Sequence, residues 1–241
     1  MRTAFETMGT VVSVATDADV SPRVLDAVRQ VFAEYDETFS LYRPESPLSA
    51  LARGELTLEA APAVVRDEYA RALEWRTRTH GWFTPHRPDG VIDLSGSIKA
   101  VATDAARGLL EQAGVCGLLG AGGDIMAFGE GVHPVGIVDP RDRARLLADL
   151  GLPAGRAIAT SGSAERGDHI WSRLGTTDVL QASVIADDIV TADVLATALV
   201  AAGSSALDDL LAAFDVDALI VTREGLLATR HWPVREPAVP A

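Results

Sequence analysis

The chain has 241 residues, 48% of them apolar, and a formal net charge of −13. That is enough chain to bury a sizeable core, and it excludes a disordered polymer. The acidic balance excludes nucleic acid and anionic membrane as main partners, because both select a basic face. A phosphate-bearing ligand stays open, since a metal ion and backbone N–H groups neutralise phosphate locally. Cys116 is the one cysteine, so no disulfide forms within the chain. There is no apolar leader and no run of about 18 apolar residues. The expectation is a cytoplasmic protein.

Taken in chain order, Thr3–Thr16 reads as β-rich, with Met8-Gly-Thr10 as a bulge or a close backbone approach inside it. Ser21-Pro22 predicts a helix start, and Val24, Leu25, Val28, Val31, Phe32 and Tyr35 continue it at helical spacing. Phe39–Leu48 reads as irregular, and a second long helix is expected over Ala60–His80. A turn-rich loop at Gly81–Gly90 precedes a short strand at Val91–Leu94, and a helix over Ser97–Gly114 follows. Strands are expected at Val115–Leu119, Ile125–Phe128, Val135–Val138, Arg156–Thr160 and Ala182–Ala186. Helices at Ala192–Ala202 and Ala206–Phe214, a strand at Ala218–Thr222 and a hairpin through Gly225 complete the core. Pro233–Ala241 reads as a Pro-rich tail after one domain over 1–232. Helices and strands do not alternate regularly, so the fold class is α+β, with mixed or antiparallel sheets and flanking helices.

Several groups of residues offer chemistry. Asp193 and Thr197 lie four apart on one helix face. A carboxylate plus a hydroxyl suits Mg²⁺, which takes few protein ligands and completes its shell with water and phosphate. The ordinary alternative is a first-turn aspartate and a packed threonine. Thr160 and Ser161 end a strand with hydroxyls and free backbone N–H groups, or form a plain turn with Gly162. His169 offers a base near neutral pH, or a structural imidazole. Lys99, near a helix start, meets either a phosphate or an acidic partner, or is simply solvated. Gly120-Ala-Gly-Gly-Asp124 follows an apolar strand without the helix a dinucleotide fingerprint requires, so a turn is the plainer reading.

The order of these elements is more specific than any one of them. Met8-Gly-Thr, Phe39-Ser-Leu-Tyr-x-x-x-Ser46, Gly81-x-Phe-x-Pro85, Asp93-Leu-x-Gly-x-x-Lys99, Gly122-Gly-Asp-Ile125, Val135-Gly-Ile-x-Asp-Pro140, Ala157-Ile-Ala-Thr-Ser-Gly162, His169-Ile and Ala192-Asp-x-x-Ala-Thr-Ala198 occur in sequence. This pattern resembles the ApbE family of FAD:protein FMN transferases over roughly residues 5–230. The resemblance implies a T-fold-like architecture and Mg²⁺-dependent cleavage of FAD. It also implies transfer of FMN to a Ser or Thr of an acceptor flavoprotein. On this basis Asp193, Thr197 and a carbonyl near Gly96 correspond to the metal ligands. Met8, Ser40, Leu41, Tyr42, Lys99, Thr160, Ser161 and Ile170 correspond to FAD contacts, and His169 to the base that activates the acceptor hydroxyl. An FAD pyrophosphatase and a non-catalytic flavin binder stand beside that reading. Departures from the family pattern fall at Thr84, where an Asp is usual, at Ala52 and Ala100, and over Trp171–Thr177.

Overall fold

The computed structural model describes residues 1–162 and 177–233. Its centre is an eight-stranded antiparallel sheet. Strands β1 (Arg2–Thr7), β2 (Thr10–Thr16), β3 (Gly117–Ala121), β4 (Asp124–Phe128), β7 (Ala157–Gly162), β8 (Val179–Ala186), β9 (Asp217–Thr222) and β10 (Leu226–Ala228) pair in that order. A separate two-stranded ribbon, β5 (Val132–Asp139) and β6 (Asp142–Pro153), is inserted between β4 and β7. The expected α+β class with antiparallel sheet and flanking helices is what forms.

Helices α1 (Pro22–Phe39), α2 (Pro47–Ala52), α3 (Ala63–Arg78) and α4 (Ile98–Gln112) all lie in the excursion between β2 and β3. Two hydrogen bonds clasp the base of that excursion. Asp17 N–H donates to the Cys116 carbonyl at 3.0 Å, and Cys116 N–H donates to Asp17 Oδ1 at 3.0 Å. Ser21 caps α1, accepting from Val24 N–H at 3.4 Å, with Pro22 in the first turn as its sequence predicts. Val28 and Phe32 of α1 pack with Val12, Val14, Leu119 and Phe128 of the sheet and Leu110 of α4. Helix α5 (Ile189–Ala202) is capped by Asp188, which accepts from Thr191 N–H at 2.8 Å. It packs against β7 and β8 as the centre of the larger core, through Ile189, Leu195 and Leu199. A 3₁₀ turn at Ser204–Ala206 and a short α6 (Leu207–Leu211) lead to β9.

Strand alternation assigns the faces. Ala157 and Ala159 of β7, with Ala182 and Val184 of β8, face the helices. Ile158 and Ile185 face the ribbon, with Val135, Ile137, Leu150 and Leu152 over them.

Two sequence expectations change, and two elements, α2 and β6, were not expected. Met8-Gly9 is not a bulge within one strand. It is a two-residue hairpin turn joining β1 to β2, with φ of 48° at Met8 and 67° at Gly9. Positive φ at both central residues matches the strands' twist, and at a methionine it is a costly conformation that packing must hold. Val91–Leu94 forms no strand, only a single bridge between His86 and Ile92. The Phe39–Leu48 segment leads into α2, and the charged stretch from Asp142 is the long strand β6.

Close packing makes one glycine decisive. A Cβ at Gly117 would overlap the Ala15 carbonyl oxygen and lie 2.9 Å from Thr16 Cα. Gly117→Ala is expected to destabilise the fold by about 3 kcal/mol, the upper end of ordinary overpacking, read from urea unfolding midpoints.

Glu68 of α3 is buried and ion-paired with Arg71. Burial pushes its carboxyl above the ordinary glutamate value, with Arg71 pulling partly the other way. The folded state therefore holds this proton more tightly than the unfolded state. Stability from this site is fully present below the ordinary glutamate pKa and falls as pH rises from there through the folded value. Glu68→Gln is expected to remove that fall, so the difference in urea midpoint between variant and parent will grow in the variant's favour from acid to neutral pH.

Candidate functional site

Of the residues singled out from the sequence, Lys99, Thr160, Ser161, Asp193 and Thr197 lie on α4, β7 and α5, which pack together with β4. Lys99, in the first turn of α4, is 5% exposed and pairs with Asp124 at the start of β4, which is 1% exposed. Of the partners open to Lys99, the fold supplies the acidic one. Asp124 also reaches across to β7, where its Oδ1 accepts the Thr160 N–H at 3.3 Å. Asp124 thus couples a helix start to a strand end through two oxygens of one side chain. Sequence reasoning met it only as the end of a glycine cluster. Its signal was an aspartate opening an otherwise apolar strand, Asp-Ile-Met-Ala-Phe.

At the end of β7 the two hydroxyls part company. Thr160 Oγ1 lies 2.9 Å from Ser183 Oγ of β8, on the ribbon face. Ser161 lies on the helix face, with its Oγ 3.1 Å from Thr197 Oγ1 of α5. Asp193 stands one helical turn before Thr197 and is the sole ionisable residue of α5, buried among Ala192, Val194 and Leu195. A carboxylate in such surroundings is costly unless matched by positive charge or hydrogen bonds. Thr197 is half-buried where its neighbours in the helix are fully buried, so α5 meets solvent beside Ser161.

Two further groups of expected contacts are shaped by the backbone. The Ser40 carbonyl accepts the hydroxyls of Ser46 at 2.6 Å and Ser49 at 3.1 Å, while Ser40 Oγ accepts Tyr42 N–H at 3.2 Å. These bonds fix the Ser40–Leu41–Tyr42 turn, with Leu41 against the core and Tyr42 exposed. Ser46, missed as a shaping residue, carries the same signal as Ser21: a serine before a proline at a helix start. Gly96 lies in the turn before α4, and a Cβ there would meet the Phe83 ring at 3.1 Å. Met8 packs against both main core clusters. His169 and Ile170 lie outside the described residues.

The donor set on α5 fits a hard cation: one carboxylate and one hydroxyl. Among the described residues, no three His, Cys, Asp or Glu side chains gather in a metal-binding group. A cation here would complete its shell with hydroxyl, carbonyl, water and substrate oxygen. No single helix among the described residues is long and apolar enough to cross a membrane.

The antiparallel sheet, with helices on one face, thus carries a buried Lys–Asp strut and a Ser–Thr contact beside the one aspartate of α5. A model of the ApbE family matches residues 84–220, more than half of the chain, and the chain belongs to that family. In the solved structures the similarity covers nearly the whole length. An ApbE protein from Thermotoga maritima is 20% identical, with 98% of this chain and 99% of that one covered and a TM-score of 0.82. A flavin transferase ApbE from Vibrio cholerae is 21% identical, with coverage of 95% and 96% and a TM-score of 0.77. The apo form of a Pseudomonas stutzeri flavinyl transferase ApbE is 18% identical, with coverage of 95% and 93% and a TM-score of 0.76. At these identities the likeness is one of fold. No curated sequence matches the chain.

Proposed function

We propose that this chain is a magnesium-dependent FAD:protein FMN transferase, working as one unit over residues 1–232. Family membership supports the reading, as do the solved flavin transferases that share its fold. The observation that carries it is the Ser161–Thr197 contact beside Asp193. It sets one strand-end hydroxyl, that of Ser161, against the Thr197 hydroxyl, one helical turn from the Asp193 carboxylate, which a merely structural Asp193 does not require.

In this reading Asp193, Thr197 and the Gly96 carbonyl hold Mg²⁺, which supplies neutralising charge for the FAD pyrophosphate. The Ser40–Tyr42 turn, Met8 and the end of β7 bind and orient FAD. Lys99 serves through Asp124, which fixes the Thr160 amide. His169 takes the proton from a Ser or Thr hydroxyl of the acceptor, because such a hydroxyl is a weak nucleophile without a base. The hydroxyl oxygen then bonds to the phosphorus of the FMN half, the pyrophosphate P–O bond breaks, and AMP leaves.

Incubation with FAD, Mg²⁺ and an apo-flavoprotein should add one FMN to the acceptor, seen by intact mass, and release one AMP per transfer. FAD binding without any mass gain on any acceptor would count against the reading. AMP release at the same rate without acceptor would identify a pyrophosphatase instead.

A further inference from the structure

A neutral hydroxyl binds a cation through a lone pair, so its proton must be given to an acceptor on another side. Where that proton goes decides how well a threonine serves as a ligand. Threonines in or closing the helices of this chain commonly settle the matter locally. Thr38, Thr77, Thr79 and Thr103 each donate to the carbonyl four residues back, at 2.8 Å to Glu34, 3.1 Å to Leu73, 2.8 Å to Trp75 and 2.8 Å to Lys99.

Thr197 is arranged differently. Its Oγ1 lies 3.1 Å from Ser161 Oγ, a contact that joins α5 to the end of β7. A helical threonine divides between two rotamers, because in one of them Oγ1 reaches back to its own helix. The contact with Ser161 ties Oγ1 to the neighbouring strand.

Strand β7 is held so that the serine arrives there. One residue earlier, the Thr160 N–H donates to Asp124 Oδ1 at 3.3 Å, and Thr160 Oγ1 lies 2.9 Å from Ser183 Oγ on the ribbon face. Ser161 pairs in register with Ala182, which faces the helices. These contacts fix the parity of the strand end, so the hydroxyl that meets α5 is that of Ser161. Either hydroxyl of the Ser161–Thr197 pair could be the donor. A cation on Asp193 and Thr197 would decide the direction. It takes a lone pair of Thr197 Oγ1, and the Thr197 O–H then donates to Ser161 Oγ.

We propose that Ser161 is a positioning residue for the cation site. It accepts the Thr197 hydroxyl proton and so keeps a Thr197 lone pair turned to a divalent cation beside Asp193. This rests on the metal-dependent reading of α5 given above and deepens it. Ser161 acts through Thr197, and the competing arrangement is Ser161 as a ligand in its own right.

The test compares the full-length parent with Ser161→Ala, Thr197→Val, the two combined, and Ser161→Thr. Mg²⁺ is the probe, titrated with FAD held above its own Kd for each form. The Mg²⁺ Kd is read from the rise in melting temperature. Ser161→Ala should weaken Mg²⁺ binding about tenfold or more, the usual effect of losing a group that orients a ligand. Added to Thr197→Val, it should weaken binding no further, because the hydroxyl it orients is gone. Ser161→Thr, which restores an acceptor oxygen, should recover most of the affinity. An unchanged Mg²⁺ Kd in Ser161→Ala, with only the metal-free melting temperature lowered, makes the contact structural and overturns the proposal. Losses that multiply in the combined variant make Ser161 an independent ligand and overturn it as well. A parent that shows no Mg²⁺ response overturns the metal reading and the proposal together. A parent with the expected Mg²⁺ pattern that transfers no FMN supports the proposal and removes the transferase reading alone.

Discussion

Lys99→Met, with Asp124 left in place, is expected to cost about 3–5 kcal/mol of folding stability, measured from urea unfolding midpoints. Both partners are almost fully buried, and removing the cation leaves a carboxylate uncompensated in the interior. The pair itself is not the source of that figure. A buried ion pair against well-packed apolar residues is near neutral, so Lys99→Met combined with Asp124→Leu should recover much of the loss. It should not recover all of it, because the Thr160 N–H keeps no acceptor once Asp124 is gone. If the single variant loses less than about 1 kcal/mol, the strut between α4 and β4 is wrong.

Asp193→Ala is expected to lower FMN transfer at least about a hundredfold while the protein stays folded. A cation at a developing phosphate charge is worth several kcal/mol, and about 1.4 kcal/mol is tenfold in rate. A second readout separates a metal ligand from a structural residue. A ligand that binds only the folded state raises its stability in proportion to its concentration over Kd. Mg²⁺ should therefore raise the melting temperature of the parent and leave that of Asp193→Ala unmoved. An equal Mg²⁺ response in both would remove Asp193 from the metal site. Thr197→Val should show a smaller loss of the same kind, since it removes one neutral donor and its contact with Ser161.

Helix α5 was legible because its composition leaves little choice: a run of apolar residues, one aspartate and a glycine at the end. Helix α2 was not, although Ser46-Pro47 repeats the Ser21-Pro22 signature, because six residues are too few to show a helical period. Strand β6 escaped because its first half is charged and exposed, and bulges near Val138 break the two-residue period that identifies a strand. The Val91–Leu94 segment has the right residue types, but only Ile92 finds a bridge partner. Within the site, the residue types and their order pointed to Asp193, Thr197, Thr160 and Lys99. The connections among them did not show. Lys99 meets Asp124 across 25 residues and Ser161 meets Thr197 across 36, and nothing local encodes either contact. That Ser161 and not Thr160 turns its hydroxyl toward α5 follows from strand parity relative to the helices, which exists only once the sheet is assembled.

The Asp17–Cys116 clasp has a consequence for how the molecule is made. Its partners are 99 residues apart, so β2 cannot find β3 until the whole intervening excursion has been drawn in. Closing a loop of that length costs about 4 kcal/mol of chain entropy before any strand pairing repays it. Helices α1, α3 and α4 are local and form on their own timescale, whereas the central sheet must wait for a distant encounter. Refolding should then be slow for its size, with helical signal gained ahead of sheet closure. The Lys99–Asp124 strut, with one partner in α4 and the other in β4, would be among the last parts to lock.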